Sequence, residues 1–426
     1  MPTLFVENTI GASLADIERR LAPFGARLVK TYPNVGALLH TQLALFDAPP
    51  GAPLAPMVVA LRGMATRLEA AGPAITNYSI TLQPLDGPTG PEYSSLPAIM
   101  DMTGADRALA RSSRGGAGVV LLVVDSGVDR SVVPLERQAG GWTDDPDGDP
   151  WVDRAGHGSM VARLASACCP NSKIFSVKAR ASPEGELLIE SVLSAVDDLL
   201  PLMQANRDLL WVMNNSWGYV GCEMDPRWCE VVASRLIRAL DQGNQVSISF
   251  AAGNNNLVCG GAPSIVAINS TEGGFTTAAL DQQGRPQDYS SRGPGQCNAL
   301  CPFVAVPTWG VLPWGAGWRD FGPEGGRTSA AAAMLSCALS LLRGEYPQAN
   351  NTDLRVALAA SAVKTPGSIP FHDPATGFGM LQVDGALSAL PAARASPLYP
   401  FLAGRGFLRP PVFPGLPFPG AGTTMV

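Results

Sequence analysis

The feature that most constrains the fold is an almost wholly apolar run at residues 118–124. A strand of this kind is typical of the centre of a parallel sheet, where helices cover both faces. Further strands are predicted at 173–178, 209–213, 246–251 and 265–268. Helices are predicted among them at 158–167, 186–200, 230–240 and 330–343. This alternation predicts an α/β domain with a mostly parallel sheet flanked by helices, with its functional groups at the carboxyl ends of the strands.

The first 83 residues predict a separate small domain. Strands are predicted at 4–7, 27–32, 37–43 and 75–82, with one helix that begins after Ser13 and another at 57–71. The order β-α-β-β-α-β indicates a ferredoxin-like α+β domain. Pro, Gly and Ser are frequent at 84–97, which is predicted as an exposed linker before a main domain at 98–388. Residues 389–426 are a Pro-rich tail, for which a flexible extension, a strap and a processed segment are all open.

Composition and charge limit the classes of partner. The 426 residues carry a net charge of −6 and contain no basic run, which argues against a nucleic-acid partner. No apolar run approaches the length of a membrane span, so no membrane partner is expected. Residues 1–7 contain no basic region and no sustained apolar stretch, so no secretory signal is predicted. The cysteine pattern, described next, instead suits an oxidising compartment. The compartment therefore stays open, between the cytoplasm and secretion by a non-standard route.

Eight cysteines allow two candidate loop disulfides. Cys222 and Cys229 bracket a short Pro-containing loop, and Cys297 and Cys301 lie in another, and either pair suits an oxidising compartment. Cys259, in a Gly-rich loop, has no evident partner in the sequence. Three cysteines in apolar helical contexts are expected as reduced core thiols: Cys168, Cys169 and Cys337.

Two polar residues at the ends of apolar elements are candidates for acid–base chemistry. Asp125 directly follows the apolar run, although an Asp in that place is often only a turn former. His157 lies between two glycines at the start of a predicted helix, which makes it the candidate base. The other histidines, His40 and His372, have sequence contexts that favour structural or surface roles.

A nucleophile and its supporting groups are predicted at three more places. Ser329 follows a Gly-Gly turn at the start of an apolar helix, where the positive end of the helix dipole stabilises an oxyanion. The simpler interpretation is that Ser329 or the preceding Thr caps the helix. Asn254 ends an apolar strand, and its amide can donate to the same oxyanion. Residues 215–218, at another strand end, offer extended backbone to a peptide substrate.

Together these elements closely resemble the subtilisin-like serine proteases, whose triad runs Asp, His, Ser along the chain. The resemblance covers about residues 98–388. It is carried by Asp-Ser-Gly at 125–127, Gly-His-Gly at 156–158, Ala-Ala-Gly-Asn at 251–254 and Thr-Ser-x-Ala at 328–331. Weaker signatures agree at 102–106, 289–294 and 377–381.

The resemblance implies a serine endopeptidase that acts on proteins or peptides through an acyl-enzyme. It assigns catalytic roles to Asp125, His157, Ser329 and Asn254 and a substrate wall to Ser216, Trp217 and Gly218. It also implies that the N-terminal domain is a propeptide, which acts as an intramolecular chaperone and inhibitor and is removed by self-cleavage. The Pro- and Gly-rich linker places that cleavage between residues 82 and 93.

Some residues depart from the family pattern. Arg327 precedes Thr-Ser where Gly is usual, Ala333 stands in place of Pro, and His157 is followed by Gly-Ser instead of Gly-Thr. Arg327 suggests a narrowed site or a partner for a substrate carboxylate. These departures also motivate an alternative, a catalytically inactive peptide-binding protein of the same fold.

No cofactor is required by the implied chemistry. The alternating carboxylates at 145–149 suggest a possible structural calcium, although a solvated acidic loop is the simpler interpretation.

Overall fold

The computed structural model describes most of the chain as two packed units. The described residues are 3–8, 11–50, 52, 54–61, 67–71, 73–74, 87–146, 148–181, 187–219, 222, 229–243, 245–297, 299–369 and 371–403.

The N-terminal unit is a four-stranded antiparallel sheet with helices on it. Its elements are β1 (Thr3–Asn8), α1 (Leu14–Leu21), β2 (Arg27–Thr31), α2 (Pro33–Leu38), β3 (Gln42–Asp47), α3 (Leu54–Ala60) and β4 (Arg67–Ala71). The sheet order is β2-β3-β1-β4. Helix α1 begins as predicted, because the Ser13 side chain accepts from the backbone N–H of Asp16. The small α+β domain expected from the sequence is therefore present.

Several predicted elements of this domain are wrong in detail. The stretch between the strands predicted at 27–32 and 37–43 contains helix α2, and the following strand begins at Gln42, not at residue 37. The helix predicted over 57–71 ends at Ala60, and residues 67–71 form strand β4 against β1. Pairing with β1 overrides the helical preference of that segment. The strand predicted at 75–82 lies outside the described residues.

The main domain is built on a seven-stranded sheet with all neighbours parallel. The order is β13-β12-β11-β10-β6-β8-β7. The strands are β6 (Val119–Asp125), β7 (Gln138–Thr143), β8 (Lys173–Lys178), β10 (Leu210–Asn215), β11 (Val246–Ala251), β12 (Gly274–Leu280) and β13 (Val304–Pro307). Short strands β5 (Pro73–Ala74) and β9 (Leu187–Leu188) pair with each other, and β14 (Val311–Trp314) with β15 (Gly317–Asp320) forms a hairpin.

Helices cover both faces of this sheet, as predicted. They are α4 (Leu96–Met102), α5 (Ala105–Arg111), α6 (His157–Ala165), α7 (Ile189–Ala205), α8 (Val232–Gln242), α9 (Arg327–Glu345), α10 (Asn351–Ser361), α11 (Val383–Ala389) and α12 (Tyr399–Ala403). Alternate residues of β6 face the two layers: Val119, Leu121 and Val123 pack with α6 and α9, whereas Val120, Leu122 and Val124 pack with α7 and α8. The α/β fold class is confirmed.

The strand predicted at 265–268 is wrong. The chain there runs into a 3₁₀ helix, Ala267–Ser270, and Ala267 has a left-handed backbone with φ of 49°. The next sheet strand is instead β12, a segment that the sequence prediction missed.

The cysteine pairing also differs from the prediction. The structure pairs Cys222 with Cys259 and Cys229 with Cys297, so the two loop pairs expected from proximity in sequence do not form. Cys168 pairs with Cys337, although both were expected as free thiols, whereas Cys169 and Cys301 are buried and unpaired. The pairs join segments that are 37 to 169 residues apart in the sequence, and sequence spacing carries no information about which of these segments meet.

Two further features concern the surface and the C-terminus. Among the described residues, no helix has the length and apolar character that crossing a membrane requires. Residues 390–403 pack on the main core, where Leu390, Ala393 and Leu402 are buried, and residues 404–426 lie outside the described part of the chain.

Candidate active site

The carboxyl end of β6 and the start of α6 bring Asp125 and His157 together. The two oxygens of the Asp125 carboxylate lie 2.9 and 3.0 Å from His157 Nδ1. Asp125 is fully buried, and the His157 side chain is largely so. Burial by itself lowers the pKa of His157, but the charge and hydrogen bond of Asp125 outweigh it, and the pKa is raised above its usual value. The imidazole is thus held in one orientation by a buried carboxylate.

A second carboxylate, Asp153, organises the loop around this pair. It accepts from Ser126 Oγ at 2.9 Å, from the Gly156 N–H at 2.9 Å and from the Ser159 N–H at 2.8 Å. Ser126 Oγ also lies 3.2 Å from Asp125 Oδ1, so Ser126 links the two carboxylates. The charge of Asp153 adds to the rise in the pKa of His157. The sequence analysis missed Asp153, although an Asp just before a helix is a recognisable start signal.

Ser329 lies in the first turn of α9, a helix whose residues are almost all buried. Its Oγ donates to the Ser216 carbonyl at 3.0 Å, and Ser216 Oγ donates back to the Ser329 carbonyl at 3.0 Å. The preceding turn has Gly325 in a left-handed conformation with φ of 57°. A Cβ there would lie 2.4 Å from the Trp309 nitrogen, so only glycine fits this turn.

Asn254 follows β11 and meets the same helix start. Its Oδ1 accepts from Thr328 Oγ1 at 2.8 Å and from the Thr328 N–H at 3.3 Å. Because Oδ1 accepts both hydrogen bonds, neither of them uses the Nδ2 group of the amide. Thr328 is fully buried, so its hydroxyl serves as a fixed support for the amide.

The three residues of the predicted substrate wall differ in exposure. Ser216 exchanges hydrogen bonds with Ser329, but Trp217 is almost completely buried and packs edge-on against Phe250, with ring centroids 6.1 Å apart. The Trp217 indole is therefore part of the core. Gly218, by contrast, is only partly buried.

On the other side of His157, the hairpin β14–β15 contributes an aromatic side chain that the sequence analysis did not identify. The Trp314 ring stands edge-on to the imidazole, with centroids 6.2 Å apart. The Gly315 N–H donates to the Gly156 carbonyl at 3.1 Å, which ties the hairpin to the loop before α6.

Arg327 is engaged by its own neighbours. Its Nε donates to Glu324 Oε2 at 3.0 Å, and its guanidinium lies 5.2 Å from the centroid of the Tyr289 ring. The Tyr289 hydroxyl donates to the Glu324 carbonyl at 2.8 Å, which closes the cluster. The backbone of Arg327 is left-handed, with φ of 54°.

The acidic loop at 145–149 shows no metal cluster in its described part. Asp145 lies 3.8 Å from Lys178, and Asp149 lies 3.3 Å from Arg130. Throughout the described ranges, no group of three or more His, Cys, Asp or Glu side chains is arranged to hold a metal ion. Asp147, part of the predicted motif, lies outside those ranges.

The N-terminal domain packs on α7 and α8. Asp197 of α7 accepts from the backbone N–H groups of Asn34 and Val35, at 2.9 and 2.7 Å, at the start of α2. Arg235 of α8 forms a 2.6 Å ion pair with Glu7.

A second contact between the units is made by main chain. Strand β5 of the N-terminal domain pairs antiparallel with β9, directly before α7. The two units thus share a separate two-stranded sheet, with two residues from each.

Comparisons with known proteins agree with this architecture. Residues 116–382, more than half of the chain, match the family model described as the subtilase family. Subtilisin amylosacchariticus from Bacillus subtilis subsp. amylosacchariticus is 23% identical over 284 residues, which cover 66% of this chain and 69% of that protein. Subtilisin from Bacillus pumilus is also 23% identical over 284 residues, which cover 66% of this chain and 95% of that protein.

A solved structure is similar over nearly the whole chain. Fervidolysin from Fervidobacterium pennivorans, a keratinolytic enzyme related to subtilisin, superposes with a TM-score of 0.65 at 16% identity. The match covers 91% of this chain and 61% of fervidolysin, and at this identity it shows the fold. On the family match and the relatives, this chain belongs to the subtilase family of serine endopeptidases.

Proposed function

We propose that Asp125, His157 and Ser329 form the catalytic triad of this endopeptidase, with Asn254 as a donor to the oxyanion. The observation that carries the proposal is the buried Asp125 carboxylate on His157 Nδ1, together with Ser329 in a helix start whose Thr328 holds Asn254. These are the groups that acyl transfer requires: an oriented base, a nucleophile and an oxyanion donor.

In the proposed reaction, the Ser329 hydroxyl turns from the Ser216 carbonyl toward His157 and attacks the scissile carbonyl. His157 takes the proton and then gives it to the leaving amine, while Asp125 stabilises the imidazolium. Because only neutral His157 accepts a proton, activity rises as the pH rises through its raised pKa.

The oxyanion formed in this step is bound by the Ser329 backbone N–H and the Asn254 Nδ2 group. Each such donor contributes about 3 kcal/mol to lowering the barrier, a magnitude taken from subtilisin itself. The two hydrogen bonds from Thr328 hold the Oδ1 atom of Asn254, and neither uses the Nδ2 group that is proposed to donate to the oxyanion.

We further propose that the N-terminal domain inhibits the site in place of a substrate. Its strand β5 pairs antiparallel with β9, and extended peptides bind to proteins by the same main-chain pairing. Asp197 and Arg235 fix the domain through hydrogen bonds to α2 and an ion pair with Glu7. In the described part of the expected cleavage window, residues 87–93, every residue but Gly90 is exposed, which suits cleavage there.

Intact-mass measurement of the purified chain tests self-processing. We expect the wild type to lose the N-terminal domain by one cut between residues 82 and 93, and Ser329→Ala to stay whole. Cleavage of Ser329→Ala at the same bond and rate would contradict self-processing. The alternative, an inactive peptide-binding protein, predicts a wild type that stays whole and binds peptides without turnover.

A further inference from the structure

Two loop segments contact the start of α9. Residues 216–218 continue β10, and residues 252–254 continue β11, its parallel neighbour in the sheet. The first segment exchanges hydrogen bonds with Ser329, and the second receives them from Thr328. On the proposed function, a substrate residue whose carbonyl is attacked by Ser329 therefore lies between the two segments, and we call the space that its side chain would occupy the cleft. We call that substrate residue the acyl residue.

One side chain, Asn269, bridges the first segment and Ala251, the last residue of β11. It lies in the 3₁₀ helix Ala267–Ser270 and is 3% exposed. Its Nδ2 donates to the Trp217 carbonyl at 3.0 Å and to the Ala251 carbonyl at 2.8 Å. Because both partners are carbonyl oxygens, the bridging atom has to be the NH₂ group, which fixes the orientation of the amide.

The other end of this amide is unsatisfied. Asn269 Oδ1 is buried and has no hydrogen-bond partner among the described residues. It also lies against Gly218, because a Cβ on Gly218 would be 2.1 Å from Oδ1 and 2.2 Å from Nδ2. The amide thus fills the space beside Gly218, a partly buried residue of the first segment. A buried acceptor without a donor is unfavourable, and a ligand that supplies a donor removes that cost.

We propose that Asn269 is a specificity-determining residue that selects a short acyl residue able to donate a hydrogen bond, such as Ser or Thr. The bridging amide limits the depth of the cleft, which disfavours Leu, Phe and other long apolar side chains. The free Oδ1 accepts from the hydroxyl of a short one. This inference rests on the proposed function, because it presumes that Ser329 is the nucleophile.

The test is the acyl-residue preference of the purified, self-processed protein. Digestion of a peptide mixture, read by mass spectrometry, gives the distribution of residues before each cut. Two matched peptide pairs then give kcat/KM ratios: Thr against its isostere Val, and Ser against Leu. We expect the wild type to favour Thr over Val by about 5-fold, the worth of one neutral hydrogen bond, and Ser over Leu by about 10-fold or more.

Asn269→Ala removes both the bridging amide and the free oxygen. We expect the Thr-over-Val preference to vanish and the Leu-to-Ser ratio to rise about 10-fold or more, as expected when a pocket gains volume. Asn256→Ala is the matched control. Asn256 is also buried, at 9% exposure, with an Oδ1 that lacks a partner in the described structure, but its Nδ2 holds the Asp288 carbonyl. The control is expected to leave both ratios unchanged.

Each outcome separates the inference from the function on which it rests. A wild type that prefers Leu or Phe overturns the role of Asn269 while leaving the endopeptidase intact. So does Asn269→Ala with unchanged ratios. If that variant does not fold, the wild-type Thr-to-Val and Ser-to-Leu ratios decide alone. A wild type that cleaves no peptide and whose Ser329 resists active-site labelling contradicts the proposed function, and this inference with it.

Discussion

Replacing Thr328 by Val tests how the oxyanion donor is held. Thr328 Oγ1 donates to Asn254 Oδ1 at 2.8 Å, and Val keeps the shape of the buried side chain while removing this bond. A neutral hydrogen bond contributes about 1 kcal/mol, and the Asn254 donor itself about 3 kcal/mol. A loosely held Asn254 amide is expected to lose about 1–2 kcal/mol of its contribution to transition-state stabilisation. The kcat is therefore expected to fall about 5- to 30-fold. KM changes little, because the bond acts on the transition state through Asn254.

The assay is steady-state hydrolysis of one peptide by five proteins: wild type, Thr328→Val, Thr328→Ser, Asn254→Ala and the double variant of Thr328→Val with Asn254→Ala. Thr328→Ser keeps the hydroxyl and serves as the control, with kcat close to wild type. Asn254→Ala is expected to lose about 100-fold or more in kcat. Since Thr328 acts through Asn254, the double variant is expected to be no slower than Asn254→Ala. Fully additive losses, or a loss confined to KM, would refute the reasoning.

Three more variants test the charge near His157, the backbone of Arg327 and the contact between the two units. Asp153→Asn removes a charge that raises the pKa of His157. The acidic limb of the kcat/KM–pH profile is therefore expected to move to lower pH by about half a unit to one unit. An unmoved limb would show that Asp153 does not act on His157. Arg327→Ala keeps a side chain on a left-handed backbone, whereas Arg327→Gly relieves the backbone strain. In thermal unfolding, the Ala variant is therefore expected to be less stable than the Gly variant by about 1 kcal/mol. Equal stabilities of the two variants would argue against strain at this position. Asp197→Ala removes two charge-assisted hydrogen bonds to α2. The affinity of the cleaved N-terminal domain for the main domain is expected to fall by about 100-fold, and gel filtration after self-processing is expected to show its faster loss. Retention equal to wild type would mean that this contact contributes nothing to binding.

The sheet and the candidate triad could be predicted because their signals are local. Each of Asp125, His157, Asn254 and Ser329 lies at the end of a strand or the start of a helix within a short motif. A parallel α/β sheet places such positions at one edge, and the structure brings Asp125 to His157 and Asn254 to the residue before Ser329.

What could not be predicted depends on contacts between distant loops. Asp153 accepts from Ser126, 27 residues away, only because the loop before α6 folds back onto the end of β6. Asn269 joins the segment after β10 to the end of β11, whose positions follow from the sheet, but its own placement depends on a 3₁₀ turn in a stretch that looks like a strand. Strand β7 was missed because two glycines weaken its β signal. Propensity describes a segment in isolation, and these features arise from tertiary contacts.

The central claim is that Ser329 is an activated nucleophile. Treatment of the self-processed protein with a fluorophosphonate probe, followed by peptide mapping, measures this directly, because labelling needs an activated serine. The account predicts a single phosphonylated residue, Ser329, with labelling abolished in Ser329→Ala and strongly slowed in His157→Ala. An unlabelled wild type, or labelling at another serine, would contradict it.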